Sequence, residues 1–558
     1  MRSLFVMKIR IVVGVCLLIV LSSTAFAGPN FVDQFFNKYK PAPVNSKPTP
    51  SEISPDALTS LIRNGEIPMS MNDVIGLTLR NNLDIGLDRL NTLSTRLATD
   101  SFYRPFEPML RINAGVNQNT APSSSQLFGV PAVSQLSQVY GVAYTQTLQT
   151  GTDVGIDFSL NRLSTNNAFS TFNPGWAGTV TYSATQHFIK NYGRDINARQ
   201  FKVAKNNTDI SDAQFERQVI DLVTRAEKSY WDLVFTFEDL KVKERSIEVA
   251  RKTLSDNRIQ VDAGAMAASD LVQAESEVAT RQQQLLDSNF IQVLASDQVK
   301  KLVTNEPDPG LVLAKISPTQ TVPRPVSGEL LTREEAIRYA LDNRPEMREI
   351  EFQMKNNDID VQYTKNQLMP SLDVTAAYTQ NGLGGPLTQY DSFGSNANVI
   401  AVIPGGLGDT LSQIARNQYR GYRFQATLQI PLSNRAAQSD HARAVTEKRT
   451  GENRKAATAQ SIALEVRNAV TQVEMSAARI DAAQTIRVLA ERKLDYEQKK
   501  FDLGVSPIRF VIEEQRNVTQ AQTDEIAALV SYAKAMVDYN HAIGTILKKN
   551  NIVLDTGN

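Results

Sequence analysis

The side chains best suited to chemistry are few. Three histidines, His187, His441 and His541, and a single cysteine, Cys16, are the only imidazoles and thiol in 558 residues. The histidines lie far apart, and none has metal-ligand spacing to a partner. Isolated histidines of this kind serve structure or face solvent. There is no phosphate-cradling glycine loop and no nucleophile motif. What remains is a set of carboxylates, Asp270 and the adjacent pair Glu513 and Glu514, each a few residues past a glycine, Gly264 or Gly504. Such carboxylates either attract cations or solvate a helix face. No enzyme, cofactor or bound metal is expected from this inventory.

The two glycines interrupt very long helices. Arg194 to Ala263 contains neither glycine nor proline, and Val219, Ala226, Leu233, Leu240, Ile247, Leu254 and Val261 recur at every seventh position. A seam with that period belongs to helices that wind against other helices. At about 1.5 Å per residue the run spans roughly 100 Å. After Gly264 a second run continues to Glu306, with Leu271, Val278 and Leu285 in step. The pattern predicts a long antiparallel hairpin with its tip at Gly264.

The pattern returns later in the chain. The tip glycines Gly264 and Gly504 are separated by 504 − 264 = 240 residues, and at that shift Ala459, Val466, Val473, Ile480, Arg487, Leu494 and Phe501 form the matching seam, only Arg487 being polar. Ahead of each hairpin the offset is 332 − 70 = 262: Ser70 aligns with Thr332, Asp73 with Glu335, Asn81 with Asn343 and Pro108 with Pro370. Both copies thus open on a capping box. The chain is an internal duplication.

The duplication sets the expected organisation. Residues 1–27 read as a secretory signal, with Arg2, Lys8 and Arg10 before the apolar Ile11 to Leu21 and a cut after Ala25-Phe26-Ala27. A membrane anchor is the competing reading, but the apolar run is short of the ~20 residues that span a bilayer. Without the signal's three basic groups, 59 − 3 = 56 basic stand against 59 acidic side chains, a balance that offers nothing to nucleic acid. Residues 28–68 form a proline-rich arm. The first repeat is 69–330: a helix from Ser70 to about Phe102, strands over about 108–188, the hairpin 194–306 and an equatorial linker. The second is 331–558: a helix, strands over about 370–432, the hairpin 433–543 and a C-terminal equatorial segment.

The strand regions differ sharply from the helices. No charged residue occurs from Ile112 to Thr152, and none from Leu163 to Ile189 apart from neutral His187. Alternation is visible in RINAGVNQN, VYGVAYTQTLQ, TDVGIDFSLNR and AGTVTYSATQHF, and a tight turn falls at Gly151. Such segments suit tilted strands with one face to lipid and one to water. The second copy offers two strands, SLDVTAAYTQ and GYRFQATLQIPL, around a glycine-rich stretch from Asn381 to Arg420 that reads as an external loop with some strand at each end. Open strand edges are not tolerated in lipid, and two to six strands per chain are too few for a barrel. Several chains must therefore share one.

At this point the chain resembles the TolC-type outer-membrane efflux proteins. The resemblance rests on the duplication, on SYWDLVFTFEDLKV (Ser229–Val242), VDAGAMAASDLVQAESEV (Val261–Val278) and FDLGVSPIRFVIEEQRNV (Phe501–Val518), and on QHFIKNYGRDINAR and QIPLSNRAAQ where strand passes to helix. His187 stands where the family usually has proline. The resemblance implies a mainly α fold with a membrane β-barrel. In it, long antiparallel helical hairpins form an α-barrel continuous with an oligomeric outer-membrane β-barrel. It also implies a homotrimer in outer-membrane lipid, with the helical tunnel projecting into the periplasm. The function implied is a passive exit duct of a tripartite efflux or type I secretion system. Its partners would be a periplasmic adaptor and an inner-membrane pump of RND or ABC type. The residues at the tips, Ala263, Gly264, Ala265, Leu503, Gly504 and Val505, would meet the adaptor. Glu513, with Glu514 and Asp270, would narrow the periplasmic entrance. The family norm is four strands per chain. Six are visible here, so either eighteen strands close the barrel or the extra hairpin projects as loop.

Two other functions compete. An envelope-spanning coiled-coil tether has no use for uncharged alternating strands. A general diffusion porin has no use for two hairpins of this length.

Overall fold

The computed structural model describes Tyr39 and residues 65–124, 128–167, 170–264, 266–304, 314–325, 330–391 and 399–554. Residues 1–54 and 55–558 are separate units, and the architecture below is that of the second. The signal segment, almost all of the proline-rich arm and Ala265 lie outside the described residues.

The first repeat opens with β1 (Glu66–Met69), α1 (Met71–Asn81) and α2 (Leu83–Ser101). Ser70 caps α1 in a reciprocal capping box with Asp73. The helix expected to run unbroken to about Phe102 is in fact two. Asn82 adopts an extended conformation, and its side chain accepts from the Asp84 amide to start α2. The second repeat does the same with α6 (Arg333–Asn343) and α7 (Pro345–Gln367). Thr332 and Glu335 form the box, and Arg344 is extended before Pro345, as the residue preceding a proline prefers.

Six strands form one antiparallel sheet: β2 (Met109–Pro122), β3 (Ala132–Leu148), β4 (Thr152–Thr165), β5 (Gly175–His187), β7 (Ser371–Gly384) and β10 (Tyr419–Gln429). Their spatial order is β10-β7-β5-β4-β3-β2. The four strands of the first repeat therefore all join the sheet, and the β2–β3 hairpin is part of the wall. Directly paired residues share a face. One face carries Ile112, Val142, Phe158, Val180, Gln380 and Arg420 in one row and Leu110, Tyr144, Ile156, Tyr182, Tyr378 and Tyr422 in the next. The other carries Asn113, Gly141, Ser159 and Thr179, with Asp157, Thr181, Thr379 and Arg423 nearby. One face is thus mainly apolar and the other mainly polar. β2 and β10 each have a free edge among the described residues.

The stretch between β7 and β10 is more structured than a loop. It holds a small hairpin of β8 (Leu387–Tyr390) and β9 (Val399–Ile403), then a helix, α8 (Leu407–Ala415). Sequence periodicity missed that helix because it is only two to three turns long.

The hairpins follow the sheet directly. A short turn α3 (Arg194–Asn197) leads to α4 (Arg199–Asp262, 64 residues), which returns as α5 (Ala268–Val303). In the second repeat α9 (Arg435–Asp502, 68 residues) returns as α10 (Ile508–Ala542). Val219, Ala226, Leu233 and Ile247 are buried, as are Val466, Val473 and Ile480. In α5 the expected row behaves differently. Leu271, Val278 and Leu285 are only half-buried, and the buried stripe includes Glu277, Arg281, Ser288, Gln292 and Ser296.

A collar lies midway along the helices. β1 pairs in parallel with β6 (Lys315–Pro318), burying Ile67, Met69 and Ile316. The Tyr230 hydroxyl on α4 donates to the Met69 carbonyl and accepts from the Gln320 amide, both at 3.2 Å. A final turn, α11 (Ile546–Lys549), closes the described chain.

Candidate functional site: the hairpin tips and their locks

Both tips reverse the chain through a left-handed glycine. Gly264 and Gly504 each have φ +74°, where any other residue is strained. The Gly504 amide donates to Phe501 O at 2.8 Å and the Val505 amide to Lys500 O at 3.0 Å, satisfying the last carbonyls of α9. Leu503 is 79 % and Val505 74 % exposed, and Ala263 and Gly264 are also exposed. Two large aliphatic side chains held exposed at a helix end form an apolar knob. Ala265 lies outside the described residues.

The two tips lie side by side. Ile508, Val511 and Ile512 at the start of α10 form a small buried cluster against Leu494, Phe501 and, from the first tip, Met266. The duplicated hairpins therefore end together.

Just above the tips the carboxylates separate by role. Glu513 is exposed, Asp270 is half-buried in the first turn of α5, and Glu514 is buried. Glu514 accepts from Lys493 on α9 at 2.6 Å and from Asn517 at 3.2 Å. Within the protomer Glu514 ties α9 to α10, so of the adjacent pair only Glu513 faces outward. Consecutive helical residues are about 100° apart, which is enough for one to lock and the other to face solvent.

A second lock was not anticipated from the sequence. Glu277 on α5, buried, accepts from Arg281 at 2.7 Å and from Arg516 on α10. It is a buried, charged link between the two hairpins near the mouth, where Gln515 also donates to Thr253 at 3.2 Å. Burial opposes ionisation of Glu277, but the Arg516 hydrogen bond and the Arg281 charge together hold its carboxyl below the usual range. The available signal was Glu277 and Arg281 at helical spacing from Ala274 on one face of α5, two charged residues on a stripe that should be apolar.

The histidines all have structural partners. His187, at the strand-to-helix junction, binds Asp373 through Nδ1 at 2.6 Å and lies 3.4 Å from Asp153. His441 meets the Thr364 hydroxyl at 3.1 Å. His541 on α10 bridges Asp221 of α4 at 2.9 Å and Glu465 of α9 at 3.3 Å, and Glu465 in turn binds Arg344 at 2.5 Å. The hydrogen bonds to Asp221 and Glu465 push the His541 pKa up to about 9. Arg487, the polar residue of the second seam, binds Glu491 at 2.8 Å and Glu525 at 2.5 Å. Among the described residues no cluster of histidine, cysteine and carboxylate side chains is arranged to hold a metal. No helix among them is long and apolar enough to cross a membrane.

This arrangement of sheet, paired hairpins and mid-height collar is shared with solved channels. OprN, an outer-membrane channel, superimposes with a TM-score of 0.60 at 12 % identity, covering 85 % of this chain and 89 % of that one. The CmeC outer membrane channel of Campylobacter jejuni does so at 0.58 and 15 % identity, covering 85 % of each. In sequence, the pyoverdine export outer membrane protein OpmQ of Pseudomonas aeruginosa is 23 % identical over 438 residues, 76 % of this chain and 80 % of that protein. The profile of the outer membrane efflux protein family matches residues 152–303 and 336–545, both hairpins together with β4, β5, β7 and β10. A TolC-like channel fold, matched by that profile over most of its length, makes this chain a member of the outer membrane efflux protein family.

Proposed function

We propose that three copies of this chain form the exit duct of a tripartite efflux or type I secretion system. The observation that carries the reading is the six-stranded sheet, apolar on one face and polar on the other, with both outer edges free among the described residues and each repeat's run of strands entered from a helix and left by one. Free edges in lipid cost several kcal/mol per unsatisfied group, so β10 of one copy must pair with β2 of the next. Three copies close eighteen strands, with the apolar face to lipid and the polar face to the lumen. Exposed apolar side chains support the same contact lower down, among them Leu83, Leu87 and Leu90 on α2 and Leu286, Phe290 and Leu294 on α5. These are seats for a neighbouring subunit.

The tips, Ala263, Gly264, Leu503, Gly504 and Val505, dock onto a periplasmic adaptor that links the duct to an inner-membrane pump of RND or ABC type. Three copies of Glu513 around the axis form the periplasmic gate, with Asp270 beside it and Glu514 bracing the helix. Transport is passive, and the pump supplies the energy. The leader 1–27 is removed after Ala27, and the mature protein sits in the outer membrane.

The test is outer-membrane fractionation followed by electrophoresis with and without heating, then planar-bilayer recording. A heat-sensitive trimer that conducts ions supports the duct. A detergent-soluble monomer without conductance would rule it out.

A further inference from the structure

The most unusual feature of the sheet is the helix laid against its apolar face. Leu160, Gly178 and Gly382 are paired across three strands and share that face with Tyr182 and Tyr378. There α8 presses in closely. A Cβ on Gly178 would lie 2.9 Å from both the Ile414 Cδ1 and the Thr410 Cγ2. A Cβ on Gly382 would fall on the Thr410 carbonyl, and one on Gly384 on the Gly406 carbonyl. The Thr410 hydroxyl donates to Trp176 O at 3.1 Å, and the Leu383 amide donates to the Gln413 side chain at 2.9 Å. The Tyr378 hydroxyl donates to Asn417, just past the helix, at 2.6 Å. Three glycines have thus cleared a bed for one short helix on the face that the duct turns to lipid.

The other side of this segment is open and apolar. Leu411 on α8 and Val399, Ile400, Val402 and Ile403 on β9 are exposed. α8 rests on β5 and β7, so β10 stands between it and the nearer free edge of the sheet. The height is equally informative. Along β4 the apolar face runs Val154, Ile156, Phe158, Leu160 and then Arg162, whose guanidinium lies over the Trp176 ring at 5.7 Å. An Arg–Trp pair ending an apolar run marks a headgroup boundary. The start of α8 is level with that pair, at the strand ends farthest from the hairpins, and the helix runs from there toward Tyr378.

The geometry points to a lipid-binding collar. The segment from β9 through α8 lies in the outer leaflet, with Leu411 and the β9 aliphatics among acyl chains. The inference rests on the duct reading, because it needs the apolar face to meet lipid.

Spin labels separate the two ideas. In a Cys16→Ser background, single cysteines replace Leu411 or, as a wall control, Ile156, and the purified oligomer is placed in phosphatidylcholine vesicles with phosphatidylglycerol. Each label's collision rate is compared for dissolved oxygen and a water-soluble nickel chelate. The collar predicts that both labels favour oxygen several-fold. A lipid-exposed Ile156 with a water-exposed Leu411 overturns the collar and leaves the duct standing. Water exposure at both overturns the duct reading as well.

Discussion

Glu513 and Glu514 show how much can turn on one step along a helix. The second is buried against Lys493, and the first is exposed. In the proposed trimer Glu513→Ala should therefore raise single-channel conductance and reduce cation selectivity in bilayers, since mutual repulsion of three such carboxylates would favour cations at the mouth. Currents identical to the parent's would remove Glu513 from the gate. Glu277→Ala belongs at the same scale. It strands the buried Arg281 and releases Arg516, a change that costs about 3 kcal/mol when a buried pair loses one partner. The readout is protease cutting near the tips, which should rise sharply, and much less in Glu277→Gln.

His541 gives a pH signature. Its folded pKa, about 9, exceeds the ordinary 6.5. The stability it contributes is therefore complete below about pH 6.5 and disappears as pH rises through about 9. Its magnitude is at most about 3 kcal/mol. The groups facing it are Asp221, Glu465 and Arg344, from α4, α9 and the start of α7. Thermal melting of the parent should fall between pH 7 and 10, and His541→Gln should flatten that slope. An unaltered slope would place the titration elsewhere.

At the scale of elements, the heptad seams and capping boxes were legible because they are local. Ser70 and Asp73, or Thr332 and Glu335, need only three residues to find each other. The seam of α5 was misread for the opposite reason. Leu271, Val278 and Leu285 keep the period, but Glu277 is buried by Arg516, 239 residues away. α8 escaped notice because its stability comes from Gly178, Gly382 and Gly384 on distant strands. Gly382→Val should displace α8 without unfolding the hairpins. A polarity-sensitive dye at position 411 would report the change, and an unshifted dye spectrum would mean the bed is dispensable.

For the whole molecule the strand count matters most. β2 and β4 both start at the helix end of the sheet. Deleting residues 109–151 therefore removes one full hairpin and preserves chain direction. In the proposed trimer the shortened protein should still assemble, with twelve strands instead of eighteen and a lower bilayer conductance. A deletion protein with parental conductance would mean that β2 and β3 never lined the pore.

The sequence by itself determined the duplication, the lengths of the hairpins, the glycine tips and the two-faced strands. Each is written in spacing along the chain, and hydrophobic period, helix capping and backbone sterics act within a few residues. Tertiary structure alone decided that all six strands join one sheet, that Glu514 is spent on Lys493, that Glu277 links the hairpins and that α8 lies on a bed of glycines. Each of these depends on which distant surface a side chain meets. Periodicity shows that a residue will be buried or paired, and only packing chooses its partner.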